Sequence, residues 1–368
     1  MKKAQRYLAL DVLRGITIAG MILVNTPGSW SHIYAPLRHA KWHGCTPTDL
    51  VFPFFLFVMG VSMFFSFSKY ESSLNKKSLL KIGKRTLLIF AIGLFLNSFP
   101  QWKIDFSTLR LMGVLQRIAL VYGVSSLIVL SVRYRMVQLI GVGILLAYWA
   151  ILYFLGDTAP YSLEHNITIA FDKWILGEQH MYHGFGIAFD PEGILSSVPA
   201  IVTTLIGYMA GRSIKMVEKS RLPQHLLIMG CVLTVAGWFW GYLLPVNKPI
   251  WTSSYVVYTA GLATLLLAVL IWIIDIKEYK KWTSFFVVFG MNPLFIFALS
   301  GIWVKCLHYL IRFPANEGTI SGYKGLYSTI FVPLAGHLNG SLLFAITHII
   351  FFWFIGWMLY KNKIFIKV

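Results

Sequence analysis

The chain contains 368 residues, of which 57% are hydrophobic and 12% are charged, and its formal net charge is +18. A soluble core of this size does not need so large an apolar fraction, and the cations occur in short clusters between apolar runs. This pattern excludes both a nucleic-acid-binding protein and an ordinary soluble domain.

Apolar runs of about twenty residues recur along the whole chain, and each is long enough to cross a ~30 Å hydrocarbon layer as a helix. Their length, and their content of Leu, Ala and Phe with little alternation, favours helices over strands. We therefore expect a single domain, 1–368, that folds as an all-α, polytopic integral membrane bundle. About ten spans are predicted, near 8–26, 49–67, 84–99, 114–132, 136–155, 193–211, 225–244, 255–274, 284–304 and 341–360.

The distribution of Lys and Arg predicts the orientation of the bundle. If the N-terminus is cytoplasmic, the inside segments hold 21 cations and the outside segments hold 9. Cytoplasmic loops are enriched in Lys and Arg, so we expect both termini inside and a multi-pass protein of the inner (plasma) membrane. The first run contains Asp11 and Arg14 and no small-residue cleavage site follows it, so we interpret it as a retained helix rather than a signal peptide.

The stretch "RHAKWHGCTPTDLVFP" (38–53) collects titratable side chains just before the second span. The imidazole of His39 can exchange a proton near neutral pH, and the carboxylate of Asp49 can orient an imidazole. The alternative is an interfacial loop in which His and Trp anchor at headgroup level. Asp49 also fits the N-cap of the second span.

Polar residues inside the spans are the next candidates. Asp11 and Arg14 are three residues apart and share one helical face, where they suit either a functional site or a structural ion pair. Asn25 ends the first span, and its amide suits an oxyanion donor or a helix cap. Gln116 and Arg117 open the fourth span, where Arg117 suits an anionic ligand or an internal partner.

The later part of the chain adds "PVNKPIWTSSY" and "GMNPLF", which place Asn247 and Asn292 in or beside spans. Pro293 predicts a kink in the ninth span, and a kink frees backbone groups to line a cavity. His180 and His183 suggest no third ligand, so no metal site is predicted.

The sequence resembles the heparan-α-glucosaminide N-acetyltransferase family, a group of transmembrane acyltransferases with bacterial members. The resemblance rests on "RYLALDVLRGITIAGMILVN", "HAKWHGCTPTDLVFPFFLFVMG", "GVLQRIALVYG", "FDPEGILSSVPAIVTTLIGYMAG", "PVNKPIWTSSY" and "GMNPLFIF", in order and over nearly the whole chain.

The resemblance implies that cytoplasmic acetyl-CoA donates its acetyl group to the amino group of a glucosamine-type sugar, as in heparan sulfate, on the other side of the membrane. It implies that His39 is the active histidine and that Asn25, Asp49 and Arg117 match family positions. We predict His39, Asp49 and Asn25 as catalytic. The predicted substrate- and cofactor-binding residues are Arg117, Gln116, Arg14, Asp11, Trp42, Asn247 and Asn292.

Because CoA is polyanionic, we expect a protein-lined cavity from the inner basic face to the 27–48 loop, with no metal cofactor. Either His39 carries the acetyl group, or it removes the amine's proton during direct transfer. Membrane lipid is an expected partner, and the resemblance is compatible with a homodimer. The alternatives are an aminosugar permease and an O-acyltransferase of an envelope glycan.

Overall fold

The computed structural model describes residues 7–67, 74–100, 105–315 and 318–366. Within these ranges the protein is mostly helical and has one short β-hairpin, as expected for an all-α bundle. Some of the cations that predicted the orientation, namely Lys2, Lys3, Arg6, Lys69, Lys103 and Lys367, lie outside the described residues.

The first six helices are α1 (Leu8–Asn25), α2 (Pro47–Phe67), α3 (Lys76–Ser98), α4 (Val114–Ser131), α5 (Tyr134–Leu155) and α6 (Ile167–Leu176). The next five are α7 (Ile194–Met216), α8 (Leu222–Trp240), α9 (Ser253–Leu270), α10 (Thr283–Met291) and α11 (Pro293–Lys305). An antiparallel hairpin of β1 (Arg312–Ala315) and β2 (Gly318–Ser321) follows, then α12 (Gly322–Leu326) and α13 (Val332–Lys361). Short π-helical segments extend α9, α11 and α12.

In the described part of the chain, nine helical segments are long and apolar enough to cross a membrane. The protein is therefore an all-α, polytopic membrane protein. The predicted segment 84–99 falls in α3, which is not among the nine because five Lys or Arg residues lie in its first ten positions. About ten spans were expected, and nine described segments qualify by length and composition.

The predicted ninth span is broken rather than merely kinked. α10 ends at Met291, Asn292 has a non-helical backbone, and Pro293 starts α11. Proline lacks the N–H that would continue the ladder of α10, and its ring fits the first position of a new helix. α13 also contains a kink, where Gly336 has a φ of 74°, and the predicted span 341–360 begins just beyond it.

Close helix contacts form the centre of the bundle. A Cβ on Gly60 of α2 would lie 2.0 Å from the carbonyl oxygen of Thr204, and one on Gly207 of α7 would lie 2.0 Å from that of Phe57. Small residues allow such backbone approach between membrane helices. α2 and α7 therefore form a tight pair, which α1, α4, α5, α8 and α9 contact.

The bundle has two distinct ends. α1, α3, α5 and α8 begin at one end, which we call the basic end because Lys and Arg precede or open these helices. α1 ends and α2 begins at the other end, which we call the histidine end because it holds His39. The 27–48 loop meets two other loops here: Trp42 donates to the carbonyl of Tyr161 at 2.8 Å, and the N–H of Gly44 donates to Val246 at 2.7 Å.

Candidate active site

The centre of the candidate site is a hydrogen bond between His39 and Asp49. The imidazole Nδ1 lies 2.6 Å from Oδ1 of Asp49. A carboxylate only accepts, so Nδ1 carries the proton and donates it to this bond. The side chain of His39 is 43% exposed, whereas that of Asp49 is 2% exposed. The tautomer is therefore fixed from the buried side, and Nε2 is left for a substrate.

The capping geometry of α2 positions Asp49. The sequence suggested Asp49 as the N-cap of the second span, but Asp49 is the third residue of α2. Its Oδ2 accepts the backbone N–H of Thr46 at 3.1 Å, which is the reach-back half of a capping box, and that of Ala40 at 3.0 Å. The same carboxylate thus starts the helix and orients the imidazole.

A lysine from a distant loop completes this group. Lys248 Nζ lies 3.4 Å from Oδ1 of Asp49 and 3.2 Å from Nδ1 of His39. Burial lowers the pKa of Lys248 below its ordinary value, although the nearby Asp49 carboxylate opposes this effect. The sequence contained Lys248 in "PVNKPIW", but no local signal connected it with His39.

The sequence-predicted residues Trp42 and Asn247 hold these loops together. The indole of Trp42 packs edge-on against Phe189, with ring centroids 5.5 Å apart. Asn247 is fully buried, and its amide donates to the carbonyl of Trp42 at 2.9 Å and accepts the N–H of Ile250 at 3.0 Å. Asn247 therefore fixes the Lys248 loop on the His39 loop.

Other polar groups surround the pair. Tyr255 of α9 donates its hydroxyl to the backbone carbonyl of Asp49 at 2.6 Å. Burial and the charge of Asp49 raise the pKa of the Cys45 thiol to about 12, so this neighbour is not a thiolate at neutral pH. Asn25 ends α1 at the same end and is exposed, and it takes no part in the hydrogen bonds of His39, Asp49 and Lys248.

Arg117 and Gln116 lie inside the bundle. Arg117 is fully buried: its Nε donates to the hydroxyl of Ser197 at 3.1 Å, and its guanidinium lies 4.9 Å from the ring centroid of Trp251. The hydroxyl of Ser196 also accepts from it. Nη1 of Arg117 and Nε2 of Gln116 have no hydrogen-bond partner among the described residues. Arg117 thus clamps the first turn of α7 and retains one unused donor.

The two carboxylates before α7, Asp190 and Glu192, form ion pairs with Arg110. Arg110 forms a bidentate contact with Asp190 at 2.9 and 2.7 Å, and one of its nitrogens lies 2.8 Å from Glu192. These ion pairs raise the pKa of Arg110 above its usual value, although burial opposes them. Asp172 caps α7 instead, by accepting the N–H groups of Ile194 and Leu195.

A second feature lies at the basic end, where a cavity of about 580 Å³ opens between α2, α3 and α4. Its lining includes four cations, Arg14, Lys81, Lys84 and Arg85, and is otherwise mostly apolar. Arg85 stacks over the ring of Tyr122 at 4.5 Å, and its Nε has no hydrogen-bond partner in the described residues. The arrangement suits a ligand with an anionic head and a slender tail.

Three sequence-predicted residues lie beside this cavity. Arg14 donates to Ser62 at 2.7 Å and to the carbonyl of Gly290 at 3.1 Å, and it lies 3.6 Å from Asp11. The amide of Asn292 is bonded to the backbone of the C-terminal tail, through Ile364 at 3.0 Å and Ile366 at 2.7 Å. Ile366 itself lines the cavity.

The cavity extends from the basic end toward His39 but does not reach it. Its lining on α2 runs from Phe67 to Phe55, and no residue of the 27–48 loop belongs to it. Phe55 is six residues from Asp49, or about 9 Å along a helix. The cavity therefore covers only the basic part of the predicted passage. No cluster of three potential metal ligands occurs in the described ranges.

The fold and the site define a class: a membrane-spanning helical protein with an oriented imidazole at one end and a cation-lined cavity at the other. A protein-family model described as "Heparan-alpha-glucosaminide N-acetyltransferase, catalytic" matches residues 6–220, more than half of the chain. The chain belongs to this family.

Two curated relatives share this description. The human heparan-alpha-glucosaminide N-acetyltransferase is 26% identical over 422 aligned residues, which cover 99% of this chain and 60% of the human protein. The mouse protein of the same name is 26% identical over 352 residues, which cover 80% of this chain and 53% of the mouse protein. The chain thus spans little more than half the length of the relatives it matches.

Proposed function

We propose that the protein transfers the acetyl group of acetyl-CoA to the amino group of a glucosamine-type sugar. The observation that carries the proposal is the bond between the exposed imidazole of His39 and the buried carboxylate of Asp49. This pair gives a base whose Nε2 faces outward and whose orientation is fixed from behind. Membership of the family supports the acetyl group and the amino sugar as the reactants.

The proposed step is direct transfer. The amine nitrogen attacks the thioester carbonyl carbon while Nε2 of His39 takes the amine's proton, so that an N–C bond forms. The C–S bond then breaks, and the proton passes to the departing CoA thiolate. Asp49 stabilises the imidazolium that forms between these events. An acetyl-His39 intermediate is the competing route, and it predicts a labelled enzyme in the absence of acceptor.

The developing oxyanion needs hydrogen-bond donors. Asn25 is exposed at the end of α1, on the same end of the bundle as His39. We assign its amide N–H₂ to the tetrahedral oxyanion, since hydrogen-bond donors aimed at developing charge supply a large share of catalysis.

The donor enters from the basic end in this proposal. The cations of the 580 Å³ cavity offer charge-assisted bonds to the phosphates of CoA. The apolar wall along α2 guides the pantetheine arm toward the histidine end. Opening of the last ~9 Å, between Phe55 and Asp49, is required for the thioester to meet His39. The basic end then faces the cytoplasm of an inner (plasma) membrane, as the distribution of Lys and Arg indicates.

The test uses the purified full chain in liposomes, with ¹⁴C-acetyl-CoA and glucosamine. We expect label on the sugar nitrogen, and a loss of at least 10³-fold in the His39→Ala variant, which removes the proton acceptor. His165→Ala is a matched control, because His165 is 41% exposed and lies 3.5 Å from Asp157. Its activity should be unchanged.

Other outcomes would identify a different protein. Label in an alkali-labile ester would indicate an O-acyltransferase. Sugar uptake that continues without acetyl-CoA and survives His39→Ala would indicate a permease. Equal loss in the His39 and His165 variants would contradict the assigned role of His39.

A further inference from the structure

A second concave feature lies on the membrane-facing side of the bundle, away from both His39 and the cation-lined cavity. It is a groove of about 710 Å³ between α5 and α8, with α7 and α9 as its floor. α5 and α8 are among the least buried of the candidate spans, which means that this side of the bundle faces the bilayer or another molecule. None of the residues assigned to the proposed reaction lines this groove.

The polarity of the groove is confined to one end. Tyr134, Gln138, Ser213 and His225 line it where α5 and α8 begin and α7 ends. The hydroxyl of Ser213 lies 3.2 Å from Nε2 of His225. Beyond these residues the lining is apolar, from Val142 and Ile206 to Val232. This gradient matches a molecule with one polar head and a long apolar tail.

The length of the groove suits an acyl chain. The lining of α5 runs from Tyr134 to Leu146 and that of α8 from His225 to Trp240, or about 20 Å along either helix. Polar residues line only one end of this length, so the groove fits one lipid chain whose headgroup lies beside Tyr134 and His225.

The positive charge at the polar end of the groove favours anionic lipids. Arg212 lies over the ring of Tyr134 at 3.7 Å, and Arg133 and Arg135 flank Tyr134 in the chain. Glu218 is the one acidic residue between positions 209 and 225. Basic pockets between membrane helices bind anionic headgroups, because each nearby cation attracts the phosphate in a region of reduced dielectric.

We propose that this groove is a binding site for one anionic phospholipid of the surrounding bilayer. Its phosphate lies at the end marked by Tyr134 and Arg212, and one acyl chain runs along the groove past Val232.

The first test fills the groove. Val232 and Val235 are both exposed valines of α8, but only Val232 lines the groove. Native mass spectrometry of the delipidated full chain, titrated with phosphatidylglycerol, measures occupancy. Val232→Trp should reduce bound lipid at least tenfold, and the matched Val235→Trp should leave it unchanged. Equal effects of the two variants would overturn the proposal.

The second test removes charge at the polar end. Arg135→Gln with Arg212→Gln should weaken phosphatidylglycerol binding by about 25-fold, at about fivefold for each cation, while phosphatidylcholine binding stays the same. Lys280→Gln with Lys281→Gln is the control, since these lysines precede α10 and do not line the groove. Equal binding of the two lipids by the unmodified protein would contradict the proposal. A further contradicting result would be that Val232→Trp changes the protein from dimer to monomer while its bound lipid is retained.

Discussion

Nζ of Lys248 lies 3.2 Å from Nδ1 of His39, a residue 209 positions earlier in the chain. Nδ1 already donates to Asp49, so the ammonium cannot donate to that nitrogen, and its partner is the same carboxylate oxygen at 3.4 Å. Asp49 is thus shared between an imidazole and an ammonium.

The first prediction concerns this lysine. Lys248→Met removes the charge and keeps an unbranched apolar chain. We expect at least a tenfold fall in kcat/KM for acetyl transfer, because the Asp49 carboxylate that orients His39 then loses its ion pair with Lys248. Lys41→Met, at an exposed lysine of the His39 loop, is the control and should have no effect. Full activity in Lys248→Met would contradict a role for the Lys248–Asp49 contact in the reaction.

The second prediction concerns Asp49. Asp49→Asn keeps the shape but has only one acceptor oxygen. With that oxygen on the N–H groups of Thr46 and Ala40, the amide N–H₂ faces Nδ1 of His39 and reverses its tautomer, so we expect kcat to fall by about 10³-fold or more. Transfer of ¹⁴C-acetyl to glucosamine measures the loss. The exposed Asp105, changed to Asn, is the control. Retention of more than a tenth of the activity in Asp49→Asn would show that the carboxylate does not orient the base.

The third prediction concerns the cation-lined cavity. Lys84→Gln with Arg85→Gln removes two charges from its lining, and KM for acetyl-CoA should rise at least tenfold with little change in KM for the sugar. Lys76→Gln with Lys77→Gln is matched to it, because both lysines open the same helix without lining the cavity. A similar rise in both double variants would indicate general attraction by the basic end rather than a site.

The fourth prediction concerns stability and pH. Burial raises the pKa of Asp172 to about 6 from an ordinary value of 3.8, so the folded protein binds this proton more tightly than the unfolded chain does. Stability is therefore lost as pH rises from about 4 to 6, by up to about 3 kcal/mol. Asp172→Asn keeps an oxygen for the α7 N–H groups and avoids this loss.

Thermal unfolding in detergent measures the effect. Asp172→Asn should melt several degrees above the unmodified protein at pH 7.5 and at the same temperature near pH 4. Asp105→Asn, at an exposed carboxylate, should show no such pH-dependent gain. A gain in Tm for Asp172→Asn that is independent of pH would contradict the assignment to ionisation of Asp172.

The helices were largely predictable from the sequence, and the broken span shows why. Long apolar runs set both ends of α2 within two residues, and Pro293 indicated a disruption between 284 and 304. Run length alone did not show that Asn292 leaves the helix and that its amide binds the tail. That outcome depends on a contact 72 residues away, which no local pattern contains.

The site was predictable only where its partners are close in sequence. His39 and Asp49 are ten residues apart, and one stretch of chain contains both. The contributions of Lys248 and Tyr255 come from the loop before α9 and from α9 itself, and they arise from packing of the whole bundle. Arg117 shows the converse case: its charge suggested either an anionic ligand or an internal partner, and the choice depends on α7, whose hydroxyls accept from it.

The tail bonds of Asn292 have a practical consequence. Ile366 forms part of the wall beside the four cations, so the last described residue of the tail lies at the entrance that we propose for acetyl-CoA. A purification tag fused there would crowd that entrance, and assays on such a protein would report a weakened apparent affinity for acetyl-CoA even if His39 and Asp49 were undisturbed.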